Sequence, residues 1–230
     1  MKQHDEKILS LIGKYGLSLR AVIEEHILEG STCDHIINRL VKEKRIVSVP
    51  GIAGGLNYYR LSLTEARARG VPEHRARPKK GAALRHAIQV LWFCKMADKV
   101  RNKLERRQVA ENFGNGCGSG KPHCAESTDE KSVVYRVYAP GPNSRDDYLL
   151  KAIRSDIEKG MERPQLRSWI EAKAFAIAIL VETEERKNRL KRLISKTGPY
   201  GVWIHLEVVP GLTTLASALR ERAKVNTHGH

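Results

Sequence analysis

Apolar residues recur at helical spacing three times in the N-terminal part of the chain, and the spacing then switches to that of strands. Ile8, Leu9, Leu11 and Ile12 fall on one face of a first helix. Leu19, Val22, Ile23 and Ile27 mark a second, which Gly30 closes. A third opens at Ser31 as N-cap, with Asp34 three residues on in the manner of a capping box. Its apolar positions are Ile36, Ile37, Leu40 and Val41. Residues 46–49 and 56–61 predict two strands, and Pro50, Gly51, Gly54 and Gly55 supply the turn between them. A short helix over 64–70 follows. The basic stretch 74–81, interrupted by Pro78, predicts a linker.

The second half has a different rhythm. Residues 82–102 predict a helix on Leu84, Ala87, Ile88, Leu91, Trp92 and Met96, with a shorter one over 105–113. Strands and helices alternate from Pro122 onward. A short strand is expected about Cys124 and another over 133–138. A helix over 146–159 is expected to be capped by Asp146 or Asp147, with Tyr148, Leu149, Ala152, Ile153 and Ile157 inward. A helical turn starts at Pro164, with Leu166, Trp169 and Ile170. Residues 175–181 are apolar on both faces, the pattern of a central buried strand. Thr183 caps the next helix, with Leu190, Leu193 and Ile194 inward. Over 202–209, Val202, Ile204, Leu206 and Val208 alternate with Trp203, His205 and Glu207. A last helix starts at Thr213 or Thr214 and runs through Ala223.

This divides into residues 1–73, a connector over 74–121 and an α/β domain of about four strands over 122–226. In residues 1–73, two helices, a polar-faced third helix and a Gly-rich hairpin follow the order of a winged helix-turn-helix. In that fold the third helix enters the DNA major groove and the hairpin lies along the backbone. The outer face of the third helix then carries Ser31, Thr32, Cys33, His35, Asn38, Arg39 and Lys42, mostly side chains that donate to base edges or phosphates. Tyr58 and Arg60 on the hairpin, with its 51–55 tip, are expected near the sugar–phosphate backbone. The competing reading is a small helical module that binds protein.

Charge favours nucleic acid. The 230 residues hold 41 Lys and Arg against 26 Asp and Glu, a net +15 spread over the whole length, which suits a polyanion contacted on more than one surface. Two basic runs stand out, 101–107 and 186–192. Lys99, Arg101, Lys103, Arg106 and Arg107 are expected on helices and are candidates for contact with flanking DNA. No apolar run is long enough to span a bilayer, and the N-terminus is polar, so a cytoplasmic location is expected.

The chemistry that would make the α/β domain an enzyme is incomplete. Its order of strands and helices is close to that of restriction-endonuclease-like folds. Such a nuclease holds Mg²⁺ between an Asp and a Glu-x-Lys carboxylate. Glu171-Ala-Lys173 has the spacing but precedes its strand. Strand 133–138 carries no acid, Asp146 and Asp147 serve a helix start, and Glu182 belongs to the first turn of the following helix. Zinc would need Cys117, His123 and Cys124 with Cys94 or another residue as fourth ligand. The Cys-x6-Cys spacing is not a knuckle, and the adjacent His123 and Cys124 diverge on a strand. Cys33, Cys94, Cys117 and Cys124 form no disulfide-framework pattern. The 114–120 loop lacks the Gly-Lys-Ser/Thr of a phosphate-binding loop. His228 and His230 read as a chain end. No metal and no cofactor are expected.

The segment Tyr58 to Arg67 (YYRLSLTEAR), where the hairpin's last strand runs into a Thr-led helix, resembles winged-helix proteins of bacterial mobile elements, the plasmid replication-relaxation proteins among them. The match has motif character over residues 31–70 and covers the remainder in layout only. The resemblance implies a DNA-binding regulator or accessory factor of a plasmid or integrative element. A homodimer is expected, with Leu91, Trp92 and Phe93 either forming its seam or packing against the winged domain, and with the α/β domain free to hold a protein partner. The alternatives are a Mg²⁺-dependent nuclease targeted by the winged helix, and a module that recruits a replication or conjugation partner.

Overall fold

The computed structural model describes residues 2–114, 120–127, 132–197 and 200–227. The chain is mixed α/β, with one sheet of three strands and one of five. It divides into two units. One runs to Leu91 and takes in the segment from Pro210 onward; the other is Trp92–Val209. Among the described residues no helix is long and apolar enough to cross a membrane.

The first unit begins with α1 (Lys2–Tyr15), whose Ile8, Leu9, Leu11 and Ile12 are all buried as their spacing requires. Two residues, β1 (Ser18–Leu19), lead into α2 (Arg20–Ile27) and α3 (Asp34–Lys42). The hairpin β2 (Ile46–Ile52) and β3 (Leu56–Leu61) follows, with an irregular register between Pro50 and Ile52. β3 is the middle strand, because β1 pairs with it through Leu19 opposite Tyr58. Both Tyr58 and Tyr59 are consequently buried. Ser62 caps α4 (Leu63–Ala68) by accepting from the Glu65 amide at 3.1 Å.

The stretch expected to be a linker is fastened down. It forms α5 (Glu73–Ala76), and the Tyr58 hydroxyl accepts from the Lys79 amide at 2.8 Å and donates to the Lys79 carbonyl at 3.0 Å. Then comes α6 (Gly81–Lys95), seven residues shorter at its end than the 82–102 expected. The chain folds back there, with the Arg101 amide donating to the Cys94 carbonyl at 2.9 Å. Leu91 and Phe93 are fully buried, and Trp92 is partly exposed. The final helix α11 (Leu215–Thr227) belongs to this first unit and not to the α/β domain.

In the second unit, β4 (Asn102–Lys103), β5 (His123–Ser127) and β6 (Ser132–Tyr138) form an antiparallel meander. Next come α8 (Asp146–Met161), α9 (Pro164–Glu171), β7 (Phe175–Val181), α10 (Glu184–Thr197) and β8 (Trp203–Val208). β7 lies parallel to β6, and β8 parallel to β7. Between β4 and β5, α7 (Arg106–Phe113) starts with a full capping box of Glu105 and Gln108. The sheet has five strands where four were expected, since β4 is too short to show a period.

The core of this unit packs Leu150, Ile153, Ile157, Leu166 and Ile170 against the one face of β6 and β7 that carries Val134, Tyr138, Phe175, Ile177, Ile179 and Val181. All seven residues of β7 are buried, as the unbroken apolar run predicts. Val202, Ile204, Leu206 and Val208 join this core, as their alternation predicts. On α8 the buried stripe is Leu150, Ile153 and Ile157; Tyr148 and Ala152, expected inward, face out. Gly160 lets α9 approach: a Cβ there would lie 2.8 Å from Leu166 Cδ2.

Candidate nucleic-acid interface

The side chains of α3 sort by burial into two faces. Ile36, Ile37 and Leu40 are buried. Ser31, Thr32, Asp34, His35, Asn38 and Lys42 are exposed, and Val41, expected inward, joins them at 36% exposure. The helix starts three residues later than Ser31. Its N-cap residue is Cys33 and no side chain caps the helix, so Ser31 does not act as the expected cap. The Cys33 N–H instead donates to Glu24 Oε1 of α2 at 3.2 Å, which ties the start of α3 to α2. Cys33 itself is fully buried, not outward, and burial, with Glu24 beside it, pushes its thiol up to about 12.

Arg39 is tied down. Its Nη2 donates to Asp5 Oδ1 at 2.5 Å, and its Nε lies 3.8 Å from Glu43 Oε1. Arg20 pairs with Asp34 at 2.5 Å at the other end of the helix. The chain leaving α3 is anchored too. Arg45 forks onto Glu65 at 2.9 and 3.1 Å, and Arg69 joins Glu65 at 2.6 Å and Glu6 at 2.5 Å. The Arg45 fork, outweighing partial burial, holds the Glu65 carboxyl below the usual carboxylate range.

The hairpin residues expected at the phosphate backbone are turned to other partners. Tyr58 is fully buried with its hydroxyl between the Lys79 amide and carbonyl. Arg60 is half-buried and donates through Nη1 to the carbonyls of Ala76 at 2.7 Å and Leu61 at 3.1 Å. At the exposed tip, Gly51 and Gly55 have open space around them, and Gly54 has a neighbour. A Cβ on Gly54 would lie 2.7 Å from Ala216 Cβ of α11, and Arg222 of the same helix forks onto Glu25 of α2 at 2.7 and 3.0 Å. Among the residues predicted to touch DNA in this unit, the structure gathers Ser31, Thr32, His35, Asn38 and Lys42 on one exposed surface and sets Arg39, Tyr58 and Arg60 apart from it.

The basic run after α6 is mostly structural. Arg101 is 2% exposed, lies over the Phe93 ring at 4.1 Å, and donates to Glu126 at 2.9 Å and to the Phe93 carbonyl at 3.0 Å. Glu207 is 3.3 Å away. Lys99 pairs with Glu126 at 2.8 Å, Lys103 lies on β4 rather than on a helix, and Arg107 pairs with Glu111 at 2.7 Å; Arg106 is exposed. In the 186–192 run, Arg186 is buried. It binds Asp146 at 2.8 Å and the Ser144 carbonyl at 2.8 Å, and so pins the loop before α8. Asp146 does not cap α8: Arg186 and Arg189 take its carboxylate.

No cluster of three His, Cys, Asp or Glu side chains that could hold a metal occurs among the described residues. Glu171, the last residue of α9, and Lys173, in the turn before β7, are both exposed and off the strand, and Lys173 takes the left-handed conformation (φ 55°). His123 and Cys124 point to opposite faces of β5, His123 towards Phe113 and Phe175 and Cys124 towards Cys94, with the two sulfurs 3.3 Å apart. Cys117 lies outside the described residues, as do His228 and His230. An open apolar cleft of about 830 Å³ lies along the ends of β7 and β8, lined by Ile170, Phe175, Ile194 and Val202 with Trp203 and Lys173. No sequence pattern marks it, because its walls come from four separate elements.

Compared with protein-family models, curated proteins and solved structures, the chain matches no family model, and no curated protein or solved structure matches it significantly.

Proposed function

We propose that this protein binds double-stranded DNA through α3, with the first unit acting as a winged helix and the second as a nuclease-like scaffold that does not cut. The observation that carries this reading is the division of α3 into a buried apolar face and an exposed polar one. It is held in place by Glu24, Asp5 and the Arg45–Glu65 fork, and a β-hairpin follows directly. An anchored helix with His35, Asn38 and Lys42 outward is the arrangement that enters a major groove. The net charge of +15 supplies the attraction to phosphate. The hairpin acts here as a brace for α3, and the backbone contacts fall to exposed lysines such as Lys42 and Lys44. The natural setting of such an activity is regulation or an accessory step on mobile DNA in the cytoplasm, with a dimer reading a two-fold site.

The nuclease alternative is disfavoured by the occupied acids. Asp146 is held by two arginines, and Glu171 ends α9, off the strand. Fluorescence anisotropy with labelled duplexes tests the proposal. Binding should weaken linearly in log–log salt titration, and Lys42→Ala should lower the slope by about one. Absence of binding at low salt would refute it. Nicking of supercoiled plasmid with Mg²⁺, lost in Glu171→Ala, would move the protein to the nuclease class.

A further inference from the structure

Which bases α3 reads follows from which of its side chains are unengaged. Arginine is the commonest reader of guanine, because its fork matches O6 and N7 together. The one arginine of α3, Arg39, is held by Asp5 at 2.5 Å with Glu43 beside it, and Arg20 at the helix start is held by Asp34 at 2.5 Å. Asp34, which could accept from a cytosine amine, is engaged in that same pair. Lys42 carries a flexible point charge without the planar fork of arginine, and suits a phosphate. His35 in the first turn offers a ring N–H, and N7 is present on both purines, so His35 marks a purine without choosing one.

Two side chains of α3 that are exposed remain. Asn38 is exposed, and a carboxamide is the bidentate complement of adenine N6 and N7. Val41 stands one turn further on, an apolar side chain exposed on a surface that otherwise carries polar groups. Over a third of its surface is left open, and the matching apolar feature in the major groove is the thymine methyl.

We infer that α3 reads A·T base pairs, with Asn38 on adenine and Val41 on a thymine methyl. This rests on the proposed DNA-binding function and adds the base preference to it. The test is selection of bound duplexes from a randomised pool by the full-length protein, followed by anisotropy titration of the enriched duplex. A·T pairs should dominate its core. Changing the central A·T pair to G·C should weaken binding about 5- to 150-fold, and Asn38→Ala should remove most of that difference. Replacing one core thymine by deoxyuridine, which lacks only the methyl, should weaken the parent a few-fold and leave Val41→Ala unaffected. Both variants alter exposed positions, and their thermal melts should match the parent's. A G·C core, or full discrimination by Asn38→Ala, would overturn the inference while leaving DNA binding intact. Equal binding to every duplex would overturn base reading in the same way. Failure to bind any duplex would remove the proposed function and this inference together.

Discussion

Arg101→Met separates a structural arginine from a phosphate contact. The guanidinium is 2% exposed and satisfies three groups: Glu126 at 2.9 Å, the Phe93 carbonyl at 3.0 Å and Glu207 at 3.3 Å. Methionine fills much of the space over the Phe93 ring but donates nothing. Breaking a buried pair from one side costs about 3–5 kcal/mol, because the other charge stays buried. Glu126 keeps Lys99 at 2.8 Å and the Tyr135 hydroxyl at 3.2 Å, and Glu207 keeps His205 at 2.8 Å. The loss should therefore sit near the lower end, about 3 kcal/mol. The three tryptophans, Trp92, Trp169 and Trp203, all lie in the second unit, so their fluorescence during urea unfolding reports on that unit alone. Arg101→Met with Glu126→Gln should be less destabilised than Arg101→Met alone, since the stranded carboxylate is gone.

The pH dependence has a definite sign. Burial pushes Glu126 up, but its bonds to Lys99 and Arg101 together hold it below the ordinary carboxylate range. A depressed carboxylate contributes stability above its unfolded value and loses it as pH falls through the folded value. The gap between parent and Arg101→Met should thus narrow as the solution is acidified through the carboxylate range. DNA affinity and its salt slope should be unchanged at temperatures where the variant is folded. A variant with the parent's urea midpoint and a salt slope lower by about one would refute the reasoning and return Arg101 to the DNA surface.

His123 is buried with Nε2 unsatisfied, and burial, with Arg136 nearby, lowers it to about 4. The unfolded chain takes up that proton first, so stability should fall between about pH 6.5 and about 4, by at most about 1.4 kcal/mol per unit. His123→Phe should flatten that part of a pH–urea profile; an unchanged profile would exclude His123 as its source. Tyr58→Phe strands the Lys79 amide and carbonyl and should cost about 1–3 kcal/mol without changing the salt slope of DNA binding; loss of slope instead would restore a phosphate role for Tyr58. Gly54 and Gly55 share a left-handed backbone (φ 78° and 75°), but only a Cβ at Gly54 meets Ala216. Gly54→Ala should therefore lower the melting temperature more than Gly55→Ala, and Ala216→Gly should recover the difference; equal shifts would mean that α11 does not press on the hairpin.

Sequence periodicity was enough wherever burial follows from spacing along one element. The apolar stripe of α1, the fully buried β7, the alternation of β8 and the outward positions of His35 and Asn38 were all legible. A period states which side chains share a face. It does not state what covers that face or what partner a polar side chain finds. Arg39 occupies an outward helical position, yet Asp5, 34 residues earlier, claims it. Arg60 and Tyr58 read as a basic and aromatic hairpin surface until α5 and Lys79 come to lie beside them. Arg101 sits in a basic run that looked solvated, and only the fold back after α6 brings Phe93, Glu126 and Glu207 around it. β1 and β4, with two residues each, are too short to carry a period, and their place is set by pairing with distant strands. Even the division of the chain was decided in three dimensions, because α11 is held by Glu25 and packed beside Gly54 of a unit that begins some two hundred residues earlier. Local spacing fixes the burial of apolar groups, since hydrophobic burial is non-directional; the fate of charged groups depends on directed contacts with residues remote in sequence, and those exist only once the chain has folded.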